Sequence, residues 1–301
     1  MKLVAGTYRT LEVAREVPPY GYFLTDRGQT EEVLLHYSEK KGDVAPGQRV
    51  DVFLFYDTQD RLAATMKEPH LALGETALLE VVDRHARFGL FLDMGLGRNL
   101  LLPFAEQPEM KELRPQVGDR VFVYMDHDRQ GRLIARLAGE EQLVPLAVRA
   151  PESWKGAEWR EARVYKPLQE GTFVVIDGGV LGFGVLGFIH TTERTRLLRV
   201  GETVRVRVAF VRPDGRVNAS TRPPKEVGRD EDAERILAFL RERPNGAMPY
   251  SDATAADVIM QKFGISKAAF KRALGKLMKQ GEVEQRENWT HLATKREESS
   301  E

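Results

Sequence analysis

The chain contains no cysteine. That excludes disulfide bridges, thiolate metal sites and cysteine nucleophiles together, and it fits an intracellular setting. Net charge is also missing: 45 Lys and Arg balance 45 Asp and Glu. No overall field steers the chain towards polyanions, so any nucleic-acid affinity has to come from local patches. No apolar run approaches the ~20 residues that a membrane helix needs, and the opening "MKLVAGTYRTLEV" turns polar too early for a secretory signal. The expectation is a cytoplasmic protein with no membrane partner. His36, His70, His85, His127, His190 and His291 are scattered without metal-ligand spacing. Asp126-His127-Asp128 is the one dense polar cluster, and it falls where a hairpin turn is expected, a place that favours aspartate anyway. No nucleophile carries a local activating signature. The expectation is therefore no catalytic residue, no metal and no cofactor.

What the chain does have is repetition. Within 301 residues, room for two to four domains, "LEVAREVPPYGYFL" from Leu11 is echoed by "LEVVDRHARFGLFL" from Leu79. Each places a glycine ten residues after its leucine, Gly21 and Gly89. "LLHYSE" and "LLPFAE" follow, then "PGQRVDVFLFYDTQDRLAAT" and "VGDRVFVYMDHDRQGRLIAR". A looser third copy runs through "EGTFVV", "FIHTTE" and "VGETVRVRVAFVRPDGRVNAS". Gly182, Gly184 and Gly187 spell the G-x-G-x-x-G of dinucleotide sites, yet Phe188-Ile189-His190 after them favour extended chain rather than the required helix. The repeat puts these glycines in the middle hairpin of the third copy. The nucleotide-loop reading is set aside.

Alternating apolar residues and hairpin signals such as Gln130-Gly131 and Asp214-Gly215 give each copy about five short strands. Five strands in ~70 residues is the size of an OB-fold barrel. The expected domains are 1–70, 71–148 and 149–226, with "RAPESWKGAEW" before the third read as a hinge or as a linker that packs down. Beyond Pro223-Pro224 the period changes. "DEDAERILAFLRER" is helical, with Ile236, Leu237, Phe239 and Leu240 on one stripe. "TAADVIMQKF" reads as a second helix, and Ser266 as the N-cap of a third that lines up Phe270, Ala273, Leu274, Leu277 and Met278. Two short strands around Glu287-Asn288 complete a winged helix over 227–293, and 294–301 reads as a disordered tail. From Lys262 to Lys279 there are basic residues and no acid. Arg272, Lys276 and Lys279 share an arc opposite the apolar face, with Lys267 and Lys271 nearby. This stretch reads equally as a solvated helix face and as a phosphate-binding ridge.

The fold class is thus mainly β plus α: three tandem OB-type barrels and a C-terminal winged helix. "FGLFLDMGLGRNLLLPFAE" and "YMDHDRQGR" resemble S1 domains, the OB-fold RNA-binding modules. With "SDATAADVIMQKFGISKAAFKRALGKLMKQGEV", nearly the whole chain resembles the conserved virulence factor B family of bacterial RNA-binding proteins. The resemblance implies a post-transcriptional regulator rather than an enzyme, with single-stranded RNA as partner and ribosomes or messenger RNA as the setting. In S1 domains two aromatics flank a glycine, a histidine closes the next strand, and the loop before the last strand adds an aspartate and an arginine. By that likeness the first copy offers Tyr20, Phe23, His36, Asp57 and Arg61. The second offers Phe88, Phe91, Asp128 and Arg132, with Pro103 in place of the histidine. The third offers Phe173, His190 and Arg216, with Glu170 replacing the first aromatic and Arg212 the aspartate. Phe88 and Phe91 differ by three, so they share a face only if Gly89 bends the chain. Three other readings stay open: barrels that only space out partners, a regulator binding duplex DNA through the winged helix, and an adaptor whose winged helix docks protein.

Overall fold

The structure, a computed structural model, describes residues 2–26, 31–156, 158–223 and 225–293. The tail expected at 294–301 and part of the first hairpin turn lie outside them. The chain forms two compact units, Met1–Arg222 and Pro223–Glu301.

The first unit holds three closed barrels of five strands each. The first is built from β1 (Tyr8–Val17), β2 (Gly21–Thr25), β3 (Glu32–His36), β4 (Arg49–Tyr56) and β5 (Leu62–Thr65). The second comprises β6 (Thr76–His85), β7 (Gly89–Asp93), β8 (Asn99–Pro103), β9 (Arg120–His127) and β10 (Leu133–Leu137). After a short helix, α1 (Glu140–Leu143), the third takes β11 (Trp159–Pro167), β12 (Gly171–Ile176), β13 (Val185–His190), β14 (Thr203–Val211) and β15 (Val217–Ser220). In each, the third and fifth strands pair in parallel and the first strand pairs with both the second and the fourth, which closes the ring. One strand can serve two neighbours because it bends. The register shifts between Val13 and Arg15, between Val81 and Asp83 and between Val164 and Lys166, the same place in all three.

Alternation fills the interiors. In the first barrel Leu11, Val13, Leu24, Val33, Leu35, Val50, Val52 and Leu54 point inward. The glycine that opens the second strand has a separate job. Gly21 and Gly89 adopt φ of 142° and 151°, and a Cβ there would lie 2.2 Å from the Leu35 carbonyl and 2.1 Å from the Leu102 carbonyl. Only hydrogen allows the next strand to come that close. The glycine-rich stretch of the third copy is a hairpin: a 3-10 turn at Gly179–Leu181 leads into β13, with no helix after it.

The three barrels are joined through apolar contacts. Phe53 points away from its own barrel yet is fully buried, packed with Leu71, Ala72 and Met125 of the second. Val200, in the loop before β14, is inserted into the second barrel's core, and its N–H donates to the Leu113 carbonyl at 3.0 Å. Beside it the Arg199 guanidinium holds Asp119 at 2.8 and 3.0 Å. Of the two readings of the segment before the third barrel, the packed one is found. Trp154 is buried in the third core, the Arg160 guanidinium lies 4.1 Å from its ring centre, and the Ala150 N–H donates to the Gly215 carbonyl. Ala157 lies outside the described residues.

The second unit contains α2 (Lys225–Arg241), β16 (Ala247–Met248), α3 (Ala256–Phe263), α4 (Lys267–Lys279), β17 (Val283–Arg286) and β18 (Trp289–Leu292). Ile236, Leu240, Ile259, Phe270, Leu274 and Leu277 form its core. The Ser266 side chain caps α4 by accepting the Ala269 N–H at 3.2 Å. Glu287 and Asn288, at φ 46° and 68°, make the two-residue turn between β17 and β18. One expectation fails: Met278 is exposed rather than core. It sits about 80° around the helix from Phe270, at the edge of the buried stripe. Gly89→Ala should cost about 3 kcal/mol or prevent folding of the first unit, measured by denaturant unfolding, because the clash is with backbone that has nowhere to go.

Candidate nucleic-acid interface

Backbone hydrogen bonds bring the repeated positions into register. The N–H of Tyr37 donates to the Tyr20 carbonyl, that of Phe104 to Phe88 and that of Thr191 to Glu170. The aromatic slot is therefore the same place in each barrel, the turn between the first two strands. Phe88 reaches the surface through this turn rather than along β7, so strand alternation does not constrain it. Tyr20 and Phe88 are 58% and 55% exposed. Phe88 lies nearly parallel to His85, ring centres 4.4 Å apart. Large exposed rings are costly in water, and here two occur at equivalent points.

The second aromatic differs between barrels. Phe23 is half-buried on β2, with the Arg15 guanidinium 4.5 Å above its ring; Arg15 is also paired with Glu32. Phe91, half-buried on β7, stands across from Asp83 and Leu101. Phe173 leans on Tyr165 and Phe188, at 5.9 and 4.9 Å between ring centres. It belongs to an apolar cluster with Phe122 of the second barrel and Leu143 of α1. Phe173 is thus half-buried, like Phe23 and Phe91, with one side of its ring packed against this cluster. Arg216 is engaged there too, 2.7 Å from the Glu140 carboxylate.

The histidines have a local task. The His36 Nδ1 accepts the Ser38 N–H at 3.2 Å and the His190 Nδ1 accepts the Thr192 N–H at 3.3 Å, each capping a 3-10 turn. That fixes Nδ1 as the acceptor and leaves Nε2 to carry the proton, on an exposed ring. Pro103 in the second barrel has no side chain able to cap.

The aspartate–arginine pairs close the last hairpins. The Asp57 Oδ1 accepts the Gln59 and Arg61 N–H groups at 2.8 and 3.0 Å while Oδ2 holds the Arg61 guanidinium at 2.7 Å. Asp128 does the same for Gln130 and Arg132. In the third barrel Arg212 takes the backbone position, its N–H donating to the Arg216 carbonyl. Asp214 supplies the carboxylate from two residues later, accepting the Arg216 N–H at 3.0 Å. Arg61 and Arg132 remain well exposed. Between the first two barrels lies a cleft of about 220 Å³ whose lining includes Asp57, Asp60, Arg98, Leu101 and Arg132. Repetition within single copies gave no hint of it. The other members of the polar cluster are occupied: Asp126 pairs with Arg136, and the His127 Nε2 lies 3.1 Å from the Ala5 carbonyl. Among the described residues no His, Asp or Glu group of three or more could hold a metal ion, and no helix is long and apolar enough to cross a membrane.

On α4, Lys267 donates to the Ala253 carbonyl at 3.4 Å and Lys271 stands 3.8 Å from Asp252. Lys276 is half-buried. Among the described residues Arg272 and Lys279 are exposed and have no carboxylate partner.

Burial pushes the Asp128 carboxyl up, but the Arg132 N–H, its guanidinium and the Gln130 N–H outweigh this and hold it below the ordinary 3.8. A lowered folded-state value stabilises the hairpin above the unfolded value and loses that stabilisation as pH falls through the folded one. The stability gap between the protein and Asp128→Asn should therefore be constant above about pH 5 and shrink below about pH 4, read from denaturant midpoints across pH. Phe173→Ala should lower stability by about 1–3 kcal/mol, whereas Phe88→Ala should leave unfolding almost unchanged, because one ring is packed and the other is not.

Family models match along most of the chain. They are an S1 domain over residues 5–67, the CvfB first S1-like domain over 77–136, the second domain of virulence regulatory factor CvfB over 146–223, and a CvfB-like winged helix domain over 234–292. The Bacillus subtilis protein YitL is 40% identical over 286 residues, 95% of this chain and 93% of that one. Conserved virulence factor B of Staphylococcus saprophyticus is 32% identical over 251 residues, 83% of this chain and 82% of that one. Among solved structures, a Streptococcus pneumoniae multidomain protein with nucleic acid binding domains aligns with a TM-score of 0.62 at 29% identity, covering 96% of this chain and 98% of its own. These are S1 and winged-helix modules, and none of the matched families is catalytic. Three five-stranded barrels, a winged helix and this likeness along the whole length make the chain a member of the conserved virulence factor B family.

Proposed function

We propose that this protein binds single-stranded RNA without catalysis, as a post-transcriptional regulator in the bacterial cytoplasm. The observation that carries the reading is the pair of exposed rings, Tyr20 and Phe88, at equivalent turns of two barrels in one compact unit. Each barrel also has a well-exposed arginine at its last hairpin, Arg61 and Arg132. Rings stack on bases whatever their identity, and guanidinium groups meet phosphate. A duplex hides its base faces, so this arrangement suits an unpaired strand. The pneumococcal relative with nucleic acid binding domains points the same way.

In this reading the first two barrels hold most of the strand. The third contributes His190 at its open end, since Phe173 and Arg216 are engaged with neighbouring elements. Phe23, Phe91 and His36 border the rings, and Asp57 and Asp128 orient the arginines. Lys267, Lys271, Arg272, Lys276 and Lys279 add phosphate contacts from α4. The ion pair of Lys271 with Asp252 is exposed on both sides and weak enough to yield to phosphate.

Binding to single-stranded RNA and to duplex DNA at matched salt tests the proposal. Single strands should win, and a clear preference for duplex would overturn it. Tyr20→Ala and Phe88→Ala should each weaken the RNA complex by about 1–3 kcal/mol. Arg272→Glu with Lys276→Glu and Lys279→Glu should weaken it further and reduce the salt slope by about 0.7 for each phosphate no longer neutralised. An unchanged slope would assign α4 to another partner.

A further inference from the structure

The winged helix carries a second aromatic feature, away from the ridge on α4. In the sheet formed by β16, β18 and β17, residues directly opposite one another share a face. Val283, Thr290 and Met248 are buried on the helix side. The other side shows Trp289 opposite Arg286 and His291 opposite Glu284, with Ala247 beyond. Trp289 is 45% exposed at the mouth of the Glu287-Asn288 turn. Its ring and that of His291 are nearly parallel, 29° apart in tilt and 6.4 Å between centres. That is the ~6.5 Å spacing of alternate side chains along a strand, so the two rings lie side by side on this face, where a planar base can lie against the exposed indole.

We propose that this outer face of the wing is a stacking site for an unpaired nucleobase. The inference rests on the RNA-binding reading above and adds to it the form of nucleic acid the winged helix takes. A half-exposed indole offers an apolar ring plane on which a flat partner can stack. Glu284, the carboxylate among these four paired side chains, is answered by Arg286 and does not oppose an anionic strand. The same unit presents Arg272 and Lys279 without carboxylate partners, which favours a polyanion over a neutral protein surface as occupant. An indole at the wing offers a ring plane to a base rather than a cation to a groove. The wing therefore takes a single strand, and a paired helix has no base face to give it.

The test uses the full chain with a short single-stranded RNA of mixed sequence, and the same sequence annealed into a duplex, followed by fluorescence anisotropy. Trp289→Ala should weaken single-strand binding roughly tenfold, the range of one base stack removed, and change duplex binding by less than about twofold. Its salt slope should match that of the unchanged protein, because no charge is removed. Trp289→Phe should restore most of the affinity, and unfolding curves of all three proteins should coincide. If Trp289→Ala binds like the unchanged protein while Phe88→Ala does not, this inference falls and the barrel reading stands. Equal losses on single strand and duplex would also overturn it. If the unchanged protein binds no single-stranded RNA, the broader reading fails and takes this one with it.

Discussion

Outward-facing apolar side chains between neighbouring barrels are the constraint on which the first unit depends. A small barrel has an inside to fill, and its outside is ordinarily free. Here Phe53, Val200 and Leu143 couple each barrel to the next, so a share of every outer surface is already occupied. What remains for a ligand is the turns and hairpin tips. Tyr20, Phe88, Arg61 and Arg132 all sit at such places, while Phe173, on a strand face next to the junction, is half-buried against it. The inequality of the three copies is a product of packing as much as of sequence drift.

Electrostatics follows the same logic. The chain has no net charge, and many of its ion pairs are internal clasps, such as Arg199 with Asp119 and Arg136 with Glu106 and Asp126. Partly buried pairs of this kind fix loops and hairpins and hold the guanidinium groups in place. On α4, among the described residues, Arg272 and Lys279 are exposed cations with no carboxylate partner. A neutral protein can in this way carry a cationic feature without attracting every polyanion in its surroundings.

Much of the architecture was legible in the sequence, because repetition and period are properties of strings. The offsets from Leu11 to Gly21 and from Leu79 to Gly89 reported a backbone approach so close that only glycine fits. Ser266 and Glu287-Asn288 announced a cap and a turn by local chemistry. What escaped depends on contacts between copies. Phe173 on its strand looks like Phe23 on its own, and nothing within one copy says that Phe122 and Leu143 will pack beside it. "RAPESWKGAEW" has the composition of a linker, yet Trp154 finds a core and Arg160 lies over its ring. The clasp of the third barrel shows the same limit at smaller scale. Asp214 does from two residues later what Asp57 and Asp128 do, so a column-by-column comparison marks it as lost although the chemistry persists.

The burial of Phe53 has one more consequence. Because the first two barrels are locked together, the distance between their surface rings is set before any strand arrives. On the proposed reading, a strand long enough to reach both would meet the second ring at high effective concentration, with no loss of barrel freedom still to be incurred. One too short to span them gains nothing from the second ring. The proposed affinity for RNA would then be governed by a length threshold, in the manner of a ruler, rather than by the summed appetite of independent beads.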